Sequence, residues 1–189
     1  MSQFSIRAGA LGLALAFGVA STSFAQAAGG VIVVNTDRVL QESAAGKYAT
    51  SQLRPQVDQF EGRRRAIAQN LQTEQASLEA AAKGKTATEA VLQQRYRELQ
   101  QHGSTGQTEL QAKQRTIQAT QQWVVQQIND GMNPIVTAIM KEKGATVAIP
   151  TGATLQVSTA VDVTRDVISR LDRALPRVSM IPPAAPAAR

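Results

Sequence analysis

The stretch that decides the fold is Leu53–Leu78, LRPQVDQFEGRRRAIAQNLQTEQASL, together with Leu92–Ile117, LQQRYRELQQHGSTGQTELQAKQRTI. Apolar residues recur in both stretches at alternating steps of four and three. This is the spacing of one face of a helix that packs in a coiled coil. If the chain folds back at Lys85, each seam residue meets a mirror partner, for example Leu71 opposite Leu99. The sequence therefore predicts an antiparallel hairpin of two long helices.

The residues between the two stripes support a turn. Lys83-Gly84-Lys85-Thr86 offers a Gly to end the first helix and Thr86 to cap the second. A rival turn in the glycine-rich residues 102–106 stays open, although it gives poorer apolar matches. A solvated glutamine-rich stretch is the other alternative, but it has no reason to keep mirrored apolar spacing.

Two glycines interrupt the second stripe. Mirror pairing places Gly103 opposite Ile67 and Gly106 opposite Arg64, so two seam layers lack a side chain from the second helix. Each glycine weakens a helix by about 1 kcal/mol relative to alanine. We expect either a hinge at Gly103 and Gly106 or a close approach of the two helices there.

Composition limits what the chain can do alone. Of 189 residues, only 4% are aromatic, and 43% are hydrophobic, so a small body with a long arm is expected to need partner chains to bury its apolar surface. There is no Cys, which excludes a disulfide framework and a Cys-based metal site. The net charge of +6 favours acidic partners.

The chain starts with a predicted export signal. Arg7 precedes an apolar run from Ala8 to Ala20, and small residues follow it. We therefore predict a signal peptide over residues 1–25, with cleavage after Ala25 or after Ala27. An uncleaved anchor is the alternative. Export argues against DNA as the acidic partner.

The remaining segments predict a small body of strands and a closing helix. Val31–Val34 is a β-branched run typical of a buried strand, and the long helix is expected to begin between Ser43 and Lys47. Ala145–Ile149 and Thr154–Ser158 are predicted strands, and Thr164–Ala174 is a predicted amphipathic helix. The fold class is α+β and mostly α. We assign residues 28–45 and 132–175 to the body, 46–131 to the arm with its tip near 83–86, and 176–189 to a disordered Pro/Ala tail.

Three stretches carry a resemblance to a known family. They are VIVVNTDRVLQESAAGK (31–47), NPIVTAIMKEKGATVAI (133–149) and VDVTRDVISRL (161–171). With the hairpin between them, the chain resembles the Skp/OmpH family of periplasmic chaperones. The resemblance implies a homotrimer whose strands form a central β body, with three arms around a cavity. It also implies a periplasmic, ATP-independent holdase for unfolded outer-membrane proteins.

Site residues follow from these expectations. The arm tip carries basic residues expected to contact clients, lipopolysaccharide or an anionic membrane surface: Lys83, Lys85, Arg95 and Arg97. The residues expected in the trimer body are Val31, Val33, Val147, Ile149, Leu155 and Val157. His102 is the only histidine, so no His cluster for a metal or a catalytic triad can form within one chain. We expect no enzyme activity, cofactor, metal or nucleic-acid partner. An envelope adaptor that binds one folded partner or lipopolysaccharide is the alternative function.

Overall fold

A computed structural model describes residues 30–183, and the predicted signal peptide lies outside them. Two long helices stand on a small body. In chain order the elements are β1 (Gly30–Val34), α1 (Thr36–Glu42), α2 (Ala44–Lys83), α3 (Glu89–Lys143), β2 (Ala145–Pro150), a 3-10 turn (Thr151–Ala153) and α4 (Thr164–Ala174). The predicted fold class is confirmed: the chain is mostly helical, with an antiparallel hairpin on a small strand body.

The hairpin turns where the mirrored stripes predicted it. Helix α2 has 40 residues and α3 has 55, and α3 runs unbroken through residues 102–106, which excludes the rival turn. The capping residue was predicted wrongly, because Thr88 rather than Thr86 accepts a hydrogen bond from a backbone N–H of α3, that of Val91. Lys85, with φ of 50°, takes the left-handed conformation in the turn.

The longer turn shifts the register of the seam. Ile67 lies against Gly106 and Leu71 against Gly103. The predicted pairing of Gly106 with Arg64 and of Gly103 with Ile67 is therefore wrong by three or four residues along α2. The reason is that the turn extends to Thr88, which moves the point of reflection beyond Lys85.

The sheet of the body has two parallel strands. Val31 pairs with Val147 and Val33 with Ile149. Parallel strands need a long crossover connection, and here the whole arm is that connection. On the other side of β1, the Val33 N–H donates to the Val161 carbonyl at 2.8 Å, and the Val163 N–H donates to the Val33 carbonyl at 3.0 Å.

The predicted strand over Thr154–Ser158 does not form. After Pro150 the chain enters the 3-10 turn, where the Thr154 N–H donates to the Thr151 carbonyl at 3.0 Å. The chain thereby leaves the sheet, and residues 161–163 take the place beside β1. Leu155 is left fully exposed.

The core lies where α4 covers the sheet and the root of the arm. Val39, Ile139, Val167 and Leu171 are fully buried in it. The core extends along α3 to a buried Val124.

The predicted disordered tail over 176–189 is wrong for residues 176–183. Val178 is 6% exposed and belongs to the core, and the Ser179 backbone is hydrogen-bonded to Gln127 of α3. The apolar side chain of Val178 docks this Pro-rich segment onto the core. The rest of the predicted tail lies outside the described residues.

Candidate functional site

The arm presents a long, incompletely covered apolar seam. Two helices can cover only one side of each other, so most seam residues are half-buried. These are Leu53, Val57, Phe60, Ile67, Leu71, Leu92, Leu99 and Leu110. Within the described part of the arm, Leu78 and Ile117 are buried seam residues, and Val91 and Tyr96 are exposed apolar side chains. The arm therefore offers weak apolar contacts along its length.

A groove lies at the waist of the arm, where the second helix lacks side chains. Its volume is about 420 Å³, and its lining includes Ile67, Leu71 and Gly106. Gly106 is buried, and a Cβ there would lie 2.9 Å from Ile67 Cγ2, whereas a Cβ at Gly103 would meet only Leu71 carbons at 4.0 Å. The helices are thus closely packed at Gly106 and less tightly packed at Gly103.

Two polar pairs cross between the helices at the rim of this groove. The Arg63 guanidinium donates to both carboxylate oxygens of Glu109 at 2.8 Å, and this hydrogen bonding lowers the pKa of Glu109. Nearer the tip, His102 Nδ1 lies 3.2 Å from both carboxylate oxygens of Glu74. The two pairs join the helices on either side of the glycines.

The tip contains the four predicted basic residues, but they differ in exposure. Lys83, Lys85 and Arg97 are exposed, while Arg95 is half-buried and donates to the Ser77 hydroxyl at 3.3 Å. None of the four forms an ion pair within residues 30–183. Tyr96, predicted on the seam, is 43% exposed. The seam of α3 steps here from Leu92 by three residues to Arg95 and then by four to Leu99, so Arg95 rather than Tyr96 lies toward α2.

The predicted trimer-body residues separate into two groups. Val31 and Val147 are paired across the sheet and are 40% and 46% exposed, whereas Val33 is buried and its partner Ile149 is half-buried. Leu155 and Val157 lie in the segment that is not a strand. Strand β2 has no second neighbour in the described sheet, so its outer edge is open.

A charge cluster tethers the closing helix to the end of α3. Arg170 donates to both carboxylate oxygens of Glu142, at 2.7 and 2.6 Å, and to Asp166 at 2.8 Å. The hydrogen bonds from Arg170 lower the pKa of Glu142, against the smaller opposing effect of desolvation. Carboxylates on both sides raise the pKa of Arg170. The cluster joins α4 to the last turn of α3.

Sequence reasoning missed a further contact at the root of the arm. The Gln127 side-chain amide donates to the Ser179 carbonyl at 2.9 Å and accepts from the Ser179 N–H at 2.8 Å. Arg177 stacks over the Tyr48 ring of α2, 5.5 Å from its centroid. Nothing in the sequence distinguishes Gln127 from the other glutamines of α3, so its contact with the Ser179 backbone could not be predicted.

The described residues contain no group of three or more side chains suited to hold a metal ion. Among the described helices, none has a stretch both long and apolar enough to cross a membrane.

Comparison with known proteins gives one family. The family described as outer membrane protein (OmpH-like) matches residues 30–171, which is most of the chain. The fold is similar to that of a Caulobacter crescentus CB15 protein described as an OmpH-like outer membrane chaperone, with a TM-score of 0.66 and 21% identity. That match covers 79% of this chain and 88% of the other. No curated protein sequence matches the chain.

Proposed function

We propose that this chain, which belongs to the OmpH-like family, is an ATP-independent periplasmic holdase: three copies assemble through their bodies and hold an unfolded outer-membrane protein between their arms. The family match supports a chaperone, and the observation that carries the finer proposal is the seam of the arm. Its apolar side chains are half-buried along helices of 40 and 55 residues.

The arm suits an unfolded client because its contacts are many and individually weak. A helix of 40 residues spans roughly 60 Å, so the apolar surface is spread over a long distance and does not form a closed pocket. An unfolded chain exposes apolar groups at irregular intervals, and an extended surface can meet them in many arrangements. Weak, distributed contacts also allow release without an energy source.

The body supports assembly of several copies. A two-stranded sheet is marginal alone, and an open strand edge is a template for pairing with another chain. The exposed Val31–Val147 pair places apolar surface beside that edge. Three bodies joined there would direct three arms to one side, around a shared cavity.

The basic residues at the tip attract the client protein at first contact, and they contribute little to keeping it bound. Lys83, Lys85 and Arg97 are exposed and free of described ion pairs, so they attract acidic client segments at long range. Lipopolysaccharide and anionic membrane surfaces carry the same chemistry. Apolar contacts within the cavity persist after the encounter, so salt weakens holding only in part.

Light scattering tests the proposal. A urea-unfolded outer-membrane β-barrel protein is diluted into buffer with and without this protein, without nucleotide. We expect the protein to suppress the scattering and to keep most of that effect at 0.5 M salt, where charges are screened over about 4 Å. An envelope adaptor would bind one folded partner and leave the aggregation unchanged, which would contradict the proposal.

A further inference from the structure

The C-terminal strap, residues 176–181, lies across the root of the arm. It follows α4 and contacts both arm helices, through Arg177 over the Tyr48 ring of α2 and Ser179 on Gln127 of α3. The family match ends at residue 171, so the strap is an addition to the part of the chain that matches the family.

Gln127 recognises the strap through its backbone. Its side-chain amide donates to the carbonyl of Ser179 and accepts from the N–H of the same residue, as a neighbouring strand would. Neither bond involves the Ser179 side chain. A site built in this way accepts an extended peptide with little regard to its sequence, which is how strand addition binds peptides in general.

Next to the two hydrogen bonds between Gln127 and Ser179, one apolar side chain of the strap is buried. Val178 is 6% exposed and belongs to the cluster that contains Val124 and Ile128 of α3. Alternate residues of an extended chain point to opposite sides, and Arg177 and Ser179 are exposed on either side of Val178. Met180, two residues after Val178, is half-buried and packs against the same cluster. The strap thus shows the binding pattern: Val178 and Met180 pack against the core, and Ser179 between them is held by its backbone.

The same face of α3 holds a donor whose hydrogen bond is unmade. Trp123 Nε1 is buried without an acceptor among the described residues, one helical turn before Gln127. Buried N–H groups are seldom left unpaired. An extended peptide brings a carbonyl with every residue and can supply the missing acceptor, which the strap does not.

We propose that the surface under the strap is a peptide-binding site for extended segments of an unfolded chain that carry a small apolar residue, and that residues 176–181 occupy it as an internal ligand until such a segment displaces them. This inference deepens the proposed function and rests on it. Its residues are Gln127, Val124, Ile128 and Tyr48, with Trp123 beside them.

Competition within the molecule sets how strongly the site binds. A segment tethered by a short linker has an effective concentration in the millimolar range. The strap therefore outcompetes other peptides that bind this site with low affinity. The apparent dissociation constant of an outside peptide is inversely proportional to the fraction of molecules with an open strap. Loosening the strap should therefore tighten binding of that peptide.

The test uses the full chain and a fluorescein-labelled peptide of residues 176–183, PRVSMIPP. Ser179→Pro removes the backbone N–H that donates to the Gln127 side chain. Ser179→Ala is the matched control, because it keeps this N–H. By fluorescence anisotropy we expect Ser179→Pro to bind the peptide about tenfold more tightly than Ser179→Ala, the factor that loss of one or two such hydrogen bonds in the strap produces. Gln127→Ala added to Ser179→Pro should remove the gain.

A second arm of the experiment closes the site. Tyr48→Cys with Arg177→Cys, joined by a short bis-maleimide, fixes the strap and keeps Gln127; the chain has no other cysteine to react. We expect the cross-linked protein to lose peptide binding. Equal affinities for Ser179→Pro and Ser179→Ala, or peptide binding unaffected by the cross-link, would overturn the inference.

Hydrogen exchange in the unaltered chain provides a measurement that no variant can disturb. A Ser179 amide, which donates to Gln127, that exchanges much faster than the amides of α4 supports displacement, and equal protection overturns it. A protein that suppresses aggregation but fails the peptide test loses only this inference. A protein that binds the peptide but does not suppress aggregation loses the proposed function.

Discussion

Gly106 of α3 lies directly against Ile67 of α2, so that a Cβ on Gly106 would be 2.9 Å from Ile67 Cγ2. The contact explains why a glycine is placed in the middle of a long helix, since the two backbones approach closely there. Gly103, one turn earlier, has no such contact, because a Cβ there would meet only Leu71 carbons at 4.0 Å.

The two glycines should respond in opposite directions to alanine. Gly103→Ala should raise the free energy of unfolding by about 0.5–1 kcal/mol, through helix propensity alone. Gly106→Ala should lower it by about 1 kcal/mol, because overpacking against Ile67 outweighs that gain. Urea denaturation measures both. A double-mutant cycle with Ile67→Ala should show coupling for Gly106→Ala and none for Gly103→Ala.

The hinge proposed at the waist is tested by amide hydrogen exchange. Bending needs residues 99–110 to exchange faster than the flanking layers at Phe60 and Leu92, and Gly103→Ala should slow them and narrow the range of clients held. Uniform protection along the arm would contradict the hinge and leave the close approach of the helices at Gly106 as the structural role of that glycine.

A third glycine fixes the elbow between α1 and α2. A Cβ on Gly46 would lie 1.7 Å from the Leu40 carbonyl oxygen, which no side-chain movement can relieve. Gly46→Ala should cost about 2–4 kcal/mol of unfolding free energy. Gly62→Ala is the control, because nothing lies within 4 Å of a Cβ there, and it should stabilise α2 by about 1 kcal/mol. Equal melting temperatures for the two variants would contradict the close crossing.

The Arg170–Glu142 pair predicts a pH dependence of stability. Hydrogen bonding from Arg170 lowers the pKa of Glu142 below its ordinary 4.5, so its contribution to stability is complete above that value and is lost as the pH falls through the folded-state pKa. Glu142→Gln should therefore melt below the unaltered chain at pH 7, with the difference shrinking below pH 4.5. Glu79→Gln, which removes no described ion pair, should show no such convergence.

Assembly through the body is tested by changing its exposed apolar pair. Val147→Asp places a charge beside Val31 on the face expected to meet another copy. Analytical ultracentrifugation should show a trimer for the unaltered chain and dissociation for Val147→Asp. Thr146→Asp is the control, because Thr146 is exposed and the bulge in β2 leaves it without a partner in β1. A compact monomer of the unaltered chain at micromolar concentration would contradict assembly.

The sequence patterns predicted the positions of the helices better than they predicted the contacts between them. The apolar stripes and the expected helix start between Ser43 and Lys47 are local signals, and α2 begins at Ala44, directly after its N-cap Ser43. The seam register could not be read in the same way, because it depends on a turn whose cap moved from Thr86 to Thr88. That shift of a few residues changed the partners of both seam glycines.

Non-local contacts decided what the sequence could not. Thr154–Ser158 has the alternation of a strand, but residues 161–163 take the position beside β1. Val178 sits in a Pro-rich segment that composition marks as disordered, yet one buried side chain and the Gln127 amide hold it. Both arrangements depend on residues distant in sequence, so no local sequence pattern predicts them.

The central claim is that one unfolded client is held among the arms of three copies. Native mass spectrometry of the protein mixed with an unfolded outer-membrane β-barrel protein tests this most directly. We predict complexes of three chains with one client, formed without nucleotide and absent when the same barrel is supplied folded. Complexes of one chain with one client, or equal binding of the folded barrel, would contradict the account.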